Sequence, residues 1–453
     1  MKKLLLINPP IYDFSAMDMW AAPYGLMVIA SALRRHAVPF EYIDFLGREY
    51  IEKEYPDGRR KYSKMVIDKP EILRDKGINR RYAVYGAAPE EVWARLSSLG
   101  EAPDGVIITT GMTYWYPACD MVYGAVKKLF PKTEVFAGGV YASILPGHAK
   151  KLMPGAKVFT NSELSAFDRV LTEFLGTTFK CFDRPFEMWD YPGLNYLNGR
   201  GFIPLLLTKG CPFGCTYCAV DKLSPEIEHR DVLGFYSWVI TASREYGIKD
   251  LVLYDDAFLF RAGKYAQRFL KTLIAAGDEI NIHAVNGLHA RWIDEEIAGL
   301  MKQSGFKTIR LSLETINEDI QKKTGNKVKT EEFLKAFENL IHAGFEPADI
   351  GVYLMAGLPD QTPEDLHNSI KFVKETGAGA YIAEFSPIPG TACFEEAGKI
   401  SREDLTEPLW QNNTLFQYWH PEFPESVLQA LKDEAIKTRR AGNEKQGEPI
   451  DRS

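Results

Sequence analysis

The feature that most limits the fold of this 453-residue chain is an alternation of short apolar runs with amphipathic segments. In the first stretch the apolar runs are KLLLINPP, FEYIDF, DGVIITTGM, EVFAGGV and KVFTN, and segments with helical periodicity, such as YGLMVIASALRRH, lie between them. Strands that alternate with helices form a parallel sheet that helices cover on both faces. The sequence therefore predicts a Rossmann-like α/β domain over residues 1–176.

The same alternation resumes at residue 201, as expected for a chain too long for one ordinary core. The strand-like segments are IPLLLTKG, DLVLYDD, INIHAV, TIRLSLE, DIGVYLMAG and AYIAEFSPI, and helices are expected between them. Six strand–helix units in a row favour a parallel sheet curled into a partial (β/α)6 barrel, which we predict over residues 201–395. In such folds the reactive groups lie at the carboxyl ends of the strands.

Three segments fall outside this alternation. Residues 47–99 are charged and rich in tyrosine with little strand pattern, so we interpret them as an insertion, either a solvated surface excursion or a contact for a substrate or partner. Residues 177–200 are predicted to be a linker, and residues 396–453 an aromatic and helical C-terminal extension. The insertion contains four arginines that either receive an anionic substrate or face water: Arg59, Arg60, Arg80 and Arg81.

Composition and charge argue against several classes of function. Lys and Arg number 54 against 61 Asp and Glu, a net charge of -7 without long runs of one sign, so we expect no nucleic acid or membrane partner. No apolar stretch approaches the roughly 18 residues of a membrane helix. The opening apolar run ends at Asn8, Pro9 and Pro10, which indicates a buried strand rather than a signal peptide. We therefore expect a cytoplasmic protein, in which clustered thiols serve metal or redox chemistry.

Half of the six cysteines lie within one segment, TKGCPFGCTYCAV, directly after the first strand of the second domain. The spacing would bring Cys211, Cys215 and Cys218 round one face of a tight loop, where three thiolates could ligate three irons of a [4Fe-4S] cluster and leave the fourth iron open. A zinc site is the main alternative, but structural zinc needs four protein ligands, and the sequence has no second cysteine pair. Inert buried thiols are the remaining interpretation.

The segment CPFGCTYC resembles the CxxxCxxC signature of the radical S-adenosylmethionine (SAM) superfamily, including an aromatic residue, Tyr217, before the third cysteine. The resemblance extends over about residues 202–394. It implies that Cys211, Cys215 and Cys218 ligate a [4Fe-4S] cluster and that Tyr217 lies near the adenine of SAM. It also implies that SAM chelates the open iron and is cleaved reductively to a 5′-deoxyadenosyl radical, which abstracts hydrogen from a substrate.

Further segments at predicted strand ends resemble those that bind SAM in related enzymes. LYDDAF follows the second strand, and the resemblance implies that Asp255 and Asp256 meet the methionine amino group. RLSLET ends the fourth strand, where Ser312 and Glu314 would face the ribose and the methionine carboxylate. LMAGLPDQT ends the fifth strand, where Gly357 would let the backbone approach the adenine. For the acidic residues the alternative is a helix cap or a surface ion pair.

The first domain, with LLINPP and PYGLMVIASALRRH, resembles the cobalamin-binding class of the same superfamily. The resemblance implies a cobalamin site at strand ends that include Thr110, Gly111, Gly138 and Gly139, although the glycine pair equally suits a turn without a ligand. The DxHxxG motif of many cobalamin proteins is absent, so no histidine is expected to ligate the lower face of the corrin. The acidic GEGE-like turn of related domains is replaced by TNSELS.

These observations lead to three hypotheses for the function. The first is a cobalamin-dependent radical SAM enzyme that transfers a methyl group to an unactivated carbon or phosphorus centre. The second is a radical SAM enzyme that catalyses a non-methylating cyclisation, rearrangement or oxidation, and the third is a non-enzymatic interaction module whose cysteines hold zinc. The expected partners of an enzyme are a small-molecule or peptide substrate and an electron donor such as flavodoxin or ferredoxin, under anaerobic conditions.

Overall fold

In the computed structural model, which describes residues 2–55, 58–197 and 199–443, the chain forms two compact units. The first comprises Met1–Pro204, Lys222–Ser224 and Glu407–Leu409, and the second comprises Leu205–Asp221, Pro225–Thr406 and Trp410–Ser453. The segment predicted to be a linker falls within the first unit, and most of the C-terminal extension falls within the second. The polar tail beyond residue 443 lies outside the described residues.

In the first unit, strands and α-helices alternate along part of the chain. The strands are β1 (Leu4–Asn8), β2 (Ile11–Asp13), β3 (Phe40–Asp44), β4 (Ile51–Glu54), β5 (Arg60–Tyr62), β6 (Lys64–Ile67), β7 (Tyr82–Tyr85), β8 (Gly105–Thr110), β9 (Glu134–Gly139) and β10 (Lys157–Phe159). The helices are α1 (Tyr24–Arg35), α2 (Glu71–Arg74), α3 (Pro89–Ser97), α4 (Tyr116–Leu129), α5 (Val140–Ile144), α6 (Pro146–Leu152) and α7 (Leu164–Leu175).

A five-stranded parallel sheet in the order β10-β9-β8-β1-β3 forms the centre of the first unit. Leu4 and Leu6 of β1 enter the apolar core on one face of the sheet, and Leu5 and Ile7 enter the core on the other. Both faces are therefore covered, which confirms the predicted Rossmann-like sheet. This strand order is the flavodoxin-like one, in which a ligand binds beyond the carboxyl ends of the strands where the order reverses, here between β1 and β8.

The insertion at residues 47–99 contains strands, although its sequence shows little strand pattern. β2, β7 and β6 form an antiparallel sheet, and β4 pairs with β5 in a hairpin. Tyr62, Tyr82 and Tyr85 are buried, so much of the segment is not a solvated excursion. Each strand from β4 to β7 has only three or four residues, which is too short to show the two-residue period of a strand in the sequence.

One arginine of the insertion neither faces water nor is open to a substrate. Arg60 is buried, and its guanidinium lies 3.6 Å from the carboxylate of Asp18. Arg200 lies 3.5 Å from the same carboxylate and 3.6 Å from that of Asp44. Buried charges require partners of the opposite sign, and these four side chains balance each other. These ion pairs therefore connect the insertion to the end of the predicted linker, at Arg200, and to the end of β3, at Asp44.

The second sheet begins at the end of the first unit and runs through the second. The elements from the start of this sheet to residue 443 are β11 (Phe202–Leu205), β12 (Thr208–Lys209), α8 (Val220–Leu223), β13 (Glu228–His229), α9 (Val232–Tyr246), β14 (Asp250–Leu253), α10 (Ala266–Ala276), β15 (Asn281–His283), β16 (Leu288–His289), α11 (Glu295–Gln303), β17 (Phe306–Glu314), α12 (Glu318–Lys323), α13 (Thr330–His342), β18 (Ile350–Ala356), α14 (Pro363–Thr376), β19 (Gly379–Glu384), α15 (Ala392–Ile400), α16 (Phe416–Trp419) and α17 (Glu425–Asn443). Of these, β12 and β13 form a separate two-stranded sheet.

The strand order β11-β14-β15-β17-β18-β19 follows the chain, with β16 beside β17, and the helices α9, α10, α11, α13 and α14 connect successive strands. The predicted parallel strand–helix units are confirmed, and α17 confirms the helix predicted in the C-terminal extension. Asp231 and Asp294 cap α9 and α11 by accepting backbone N–H bonds, as short acidic residues favour. In the described part of the chain, no helix is long and apolar enough to cross a membrane.

Candidate active site

The three clustered cysteines lie on the loop after β12, beyond the carboxyl end of the first strand of the second sheet. All three are partly exposed free thiols, whereas the other three cysteines are buried. Among the described residues, no three His, Cys, Asp or Glu side chains could hold a single metal ion together. Thiolates that ligate three different irons do not converge on one point as zinc ligands do. The loop is therefore compatible with thiolates that ligate separate irons.

Asp255 and Asp256, predicted to meet SAM, hold the start of the cysteine loop. The Thr208 N–H donates to Asp255 Oδ1 at 2.5 Å, and the Gly210 N–H donates to Asp256 Oδ2 at 2.9 Å. Asp255 is 4% exposed, and burial raises its pKa to about 8 against the opposing effect of the N–H bonds it accepts. This geometry is neither a helix cap nor a surface ion pair. It positions the loop, and a contact with SAM stays a prediction.

The middle of the loop is held by two segments that the sequence did not single out. The Thr216 N–H donates to Thr324 O at 3.3 Å, and the Cys393 N–H donates to Thr216 O at 3.0 Å. The Thr216 hydroxyl lies 3.2 Å from the Cys393 sulfur. Gly325 has a φ of +103°, and a Cβ there would lie 3.0 Å from the carbonyl oxygen of Gly214. The loop is thus clamped between the end of α12 and the start of α15.

A buried ion pair next to the thiols is the main electrostatic feature of the site. Lys327 Nζ lies 3.1 Å from Glu314 Oε1, and the two side chains are 17% and 11% exposed. Burial alone would lower the pKa of Lys327, but the charges of Glu314, Cys215 and Cys218 outweigh it and raise the pKa. Burial raises the pKa of Cys215 to about 11, and the charge of Lys327 opposes that rise. Sequence reasoning missed Lys327, because it stands far from the cysteine motif.

Glu314 has an unusual backbone as well as a buried side chain. Its φ is +66°, which a residue other than glycine rarely adopts and which typically costs about 1–3 kcal/mol. The pairing of β17 with β18 shifts register between Ser312 and Glu314. Ser312 is buried, and a Cβ at Gly287 would lie 1.9 Å from its hydroxyl oxygen. The strand end predicted to meet SAM is therefore a strained and closely packed place.

Two further predicted SAM residues are placed by packing and burial. Gly357 has a φ of +90°, and a Cβ there would lie 2.4 Å from the ring of Phe416. The glycine is therefore required by α16, and an approach of adenine to it stays a prediction. Burial, with the nearby charges of Glu314 and Cys215, raises the pKa of Tyr217 well above its usual value, so its hydroxyl stays protonated.

The four residues predicted to bind cobalamin meet at the carboxyl ends of β8 and β9. The Thr110 hydroxyl donates to Gly138 O at 3.1 Å, which joins the two strand ends. Gly139 has a φ of +121°, and a Cβ there would lie 2.4 Å from the carbonyl oxygen of Thr110. A Cβ at Gly111 would meet the ring of Trp115 at 2.6 Å. The structure brings these residues together, and it gives Gly111 and Gly139 roles in packing.

A cavity of about 110 Å³ opens at this edge of the first sheet. Thr109, Gly138 and Gly139 line it together with apolar side chains from α1, β8, β9 and α7. A larger cavity of about 540 Å³ belongs to the second sheet, at the edge formed by the amino ends of its strands. Lys249, Asn281 and Lys307 line it there. Because the chemistry of such sheets lies at their carboxyl ends, the larger cavity is not the candidate site.

The second sheet thus carries three cysteines on the loop after its first strand, a buried cation beside them and acidic groups at a neighbouring strand end. Residues 205–373 match the Radical SAM superfamily. The match covers less than half of the chain and lies mostly within its second unit, which therefore contains a radical SAM domain. Such a domain implies a [4Fe-4S] cluster and SAM as cofactors.

The relatives include an uncharacterised methyltransferase of Pyrococcus horikoshii, which is 24% identical over 228 residues that cover 48% of this chain and 46% of the relative. The chain spans about half the length of the curated relatives it matches. The solved radical SAM methyltransferase TsrM from Kitasatospora setae, with tryptophan substrate and a SAM analogue bound, has a TM-score of 0.66 at 13% identity and covers 97% of this chain and 89% of that chain.

A second solved structure shares the fold over nearly the whole chain. The cobalamin-dependent SAM radical enzyme OxsB with aqua-cobalamin bound has a TM-score of 0.57 at 12% identity, covering 96% of this chain and 62% of that one. At these identities the likeness concerns the fold alone.

Proposed function

We propose that this chain is a cobalamin-dependent radical SAM methyltransferase that acts on an unactivated carbon or phosphorus centre. One observation carries the proposal: the same chain has two sites at the carboxyl ends of parallel strands. One is the clamped cysteine loop of the second sheet, and the other is the glycine-lined cavity of the flavodoxin-like first sheet. The fold likeness to TsrM and OxsB supports it, because TsrM is a radical SAM methyltransferase and OxsB is a cobalamin-dependent SAM radical enzyme.

The residues of the cysteine loop fit an iron–sulfur cluster. Cys211, Cys215 and Cys218 are partly exposed thiols on one clamped loop, and ligation would remove their protons. The cluster and SAM, when bound, supply an electron and a carbon-centred radical that removes hydrogen from a substrate. Lys327 stands beside the thiols and offsets the negative charge they gain. Ser312 and Glu314 at the end of β17 are the side chains that we propose face SAM.

The strand edge of the first unit fits a ligand held by shape and backbone. The turn at Gly138 and Gly139 leaves no side chain in the way, and the cavity wall there is mainly apolar. Cobalamin, when bound, supplies a cobalt centre that carries a methyl group. Both histidines of the first unit are engaged elsewhere, since His148 Nδ1 lies 2.5 Å from the Tyr141 hydroxyl and His36 contacts the backbone at residue 180. We therefore propose that no histidine ligates the cobalt.

Anaerobic reconstitution with iron, sulfide and hydroxocobalamin tests the proposal. The protein is incubated with SAM and a reductant, and mass spectrometry measures S-adenosylhomocysteine and 5′-deoxyadenosine. We expect both nucleosides and about one bound cobalamin per chain, because methyl transfer and radical formation each consume SAM. A matched Cys211→Ala protein should keep cobalamin and lose 5′-deoxyadenosine. Formation of 5′-deoxyadenosine without S-adenosylhomocysteine would favour the non-methylating hypothesis, and zinc without iron or sulfide would favour the interaction module.

A further inference from the structure

A chain of aromatic side chains leads from the cysteine loop towards the surface of the second unit. Nε2 of His289 lies 3.8 Å from Sγ of Cys211, and the imidazole stacks on Phe213 with ring centroids 4.8 Å apart. Trp292 stands 4.9 Å from His289 and 5.4 Å from Phe213, and Phe260 stands 5.5 Å from Trp292. His289 is buried, whereas the three other rings are partly exposed. The rings therefore form a continuous path from one thiol to solvent.

The outer end of this path is positively charged. The guanidinium of Arg261 lies 5.1 Å from the ring centre of Phe260, and Lys264 is exposed three residues further along. Within the described part of the chain, neither cation has a carboxylate partner. Residues 257–277 contain four Lys or Arg and no Asp or Glu, in a chain whose net charge is -7. This concentration of positive charge is local to the loop after β14 and the helix that follows it.

The surrounding ionisable groups do not cancel this charge. Burial first, and then the charges of Arg261 and Lys264, lower the pKa of His229 to about 4. Three carboxylates follow Trp292: Asp294 caps α11, Glu296 pairs with Lys271 at 2.7 Å, and Glu295 is exposed. Asp294 and Glu296 are therefore already satisfied within the fold.

We infer that this surface docks an acidic one-electron carrier protein that reduces the cluster. We name the surface the basic aromatic patch and define it by Phe213, Phe260, Arg261, Lys264 and Trp292. The inference deepens the proposed function and rests on it, because it takes the cysteine loop to hold the cluster. In the transfer the carrier is oxidised by one electron and the cluster is reduced by one electron, with no exchange of atoms.

The charge and the aromatic side chains of the patch favour the binding of such a carrier. Unpaired cations raise the encounter rate and fix the orientation of an acidic partner, and the effect weakens as salt is added. Aromatic rings and arginine are enriched at the centres of protein interfaces. Partly exposed rings also let the redox group of the carrier come close to the path that ends at Cys211. An acidic flavodoxin is a suitable probe because it carries single electrons and a negative surface.

The test compares two charge-matched double variants of the reconstituted protein. Arg261→Glu/Lys264→Glu reverses the patch, and Lys249→Glu/Lys307→Glu reverses two cations at the opposite edge of the sheet. Stopped-flow absorption follows cluster reduction by reduced flavodoxin without SAM or substrate, at several salt concentrations. We expect the patch variant to need at least about tenfold more flavodoxin for half-maximal rate and to lose the salt dependence, while the control changes less than about twofold. Reduction by dithionite should be equal in all three proteins.

Equal flavodoxin dependence in the patch variant and the control would overturn the inference. A second measurement keeps it testable if the proposed function fails and no cluster can be loaded. In that measurement, the flavin fluorescence of oxidised flavodoxin is titrated with each protein in the cluster-free form. If only the patch variant loses flavodoxin binding, the docking surface is supported, whether or not the cysteine loop holds a cluster. Equal flavodoxin binding by all three proteins contradicts the docking surface.

Discussion

The two parallel sheets of this protein present different chemistry at the same structural place, the carboxyl ends of their strands. In the second unit that edge is ionic: Asp255 and Asp256 accept backbone N–H bonds, and Lys327 pairs with Glu314 beside the thiols. In the first unit the edge consists of backbone, the Thr110 hydroxyl and apolar walls. Both edges lie where α/β sheets bind ligands.

The difference is that the edge of the second sheet balances charges, whereas the edge of the first sheet has few side chains that would hinder the approach of a ligand. Thiolates and a charged cosubstrate require fixed charges and hydrogen bonds nearby, because burial of an unbalanced charge is costly. A large ligand held mainly by its shape requires a close approach of the backbone, which side chains would prevent. The ionic edge should therefore fail when a charge or ligand is removed, and the backbone edge should fail when a side chain is added.

The largest effect is expected from the cysteines of the ionic edge. Replacement of any one of Cys211, Cys215 or Cys218 by alanine should lower 5′-deoxyadenosine formation by more than about 100-fold, which is the upper range for loss of an outer-shell contact at a metal site. The physical reason is that, in the proposed function, each of the three thiolates ligates a different iron and cannot be replaced by another. Iron and sulfide analysis measures the cluster content, and an assay of 5′-deoxyadenosine measures the activity. The control is Cys119→Ala, which removes a buried thiol of the first unit. Full iron content in Cys211→Ala would show that this thiol does not ligate iron.

The next effect concerns the ion pair. Lys327→Met leaves the carboxylate of Glu314 buried without its partner, so the free energy of unfolding should fall by about 3–5 kcal/mol in urea denaturation of the cluster-free protein. The double variant Lys327→Met/Glu314→Gln should recover most of the loss, since no buried charge remains.

Lys323→Met is the matched control for the ion pair, because the pair of Lys323 with Asp360 is exposed. Its effect on the free energy of unfolding should be small beside that of Lys327→Met, because solvent screens an exposed pair. If the single and double variants at residue 327 are equally unstable, the pair does not balance charge as described.

The backbone edge is tested by adding one methyl group. Gly139→Ala forces a side chain into a positive φ and against the carbonyl oxygen of Thr110, which should cost about 1–3 kcal/mol of unfolding free energy and lower the cobalamin retained after gel filtration. Gly124→Ala, in the middle of α4 with nothing within 4 Å of the added Cβ, is the control and should be neutral or slightly stabilising. Similar cobalamin retention in both variants would contradict a ligand site at this edge.

The last effect, spread over several pH units, is a dependence of stability on pH. The folded-state pKa of Asp255 is raised to about 8, above its model-peptide value near 4, so between these values the folded state binds a proton that the unfolded state has released. Stability should therefore fall as pH rises, with a slope of up to about 1.4 kcal/mol per pH unit. Asp255→Asn should remove this contribution, which urea denaturation between about pH 5 and 8 would show as a flatter profile. Parallel profiles of the two proteins would contradict the raised pKa.

Local patterns predicted much of the fold and the ligands at the centre of the site. The alternation of apolar runs predicted both parallel sheets, because a strand buried on both faces is apolar along nearly its whole length, as Leu4 to Ile7 are in β1. The three cysteines could be singled out because they lie within eight residues of one loop. The strands of the insertion escaped detection because they are too short to show a period.

The parts of the site that could not be predicted are supplied by distant segments. Lys327, Gly325 and Cys393 meet the cysteine loop across more than a hundred residues of chain, and each alone is an ordinary loop or helix residue. For Gly357 and Gly139 the sequence indicated a special backbone, but it did not indicate that Phe416 or the carbonyl of Thr110 makes a side chain impossible there. Such neighbours follow from packing between elements, which no short segment encodes.

By itself, the sequence determined the parallel α/β architecture, the three-thiol loop and the absence of a histidine motif for cobalt, because periodicity and ligand spacing are properties of short segments. Only the tertiary structure decided which charges face the thiols, which glycines are needed, and how Phe213, His289, Trp292 and Phe260 line up beside Cys211. The physical reason is that burial and electrostatics depend on distances through space, and these are set when separate strands and helices pack together.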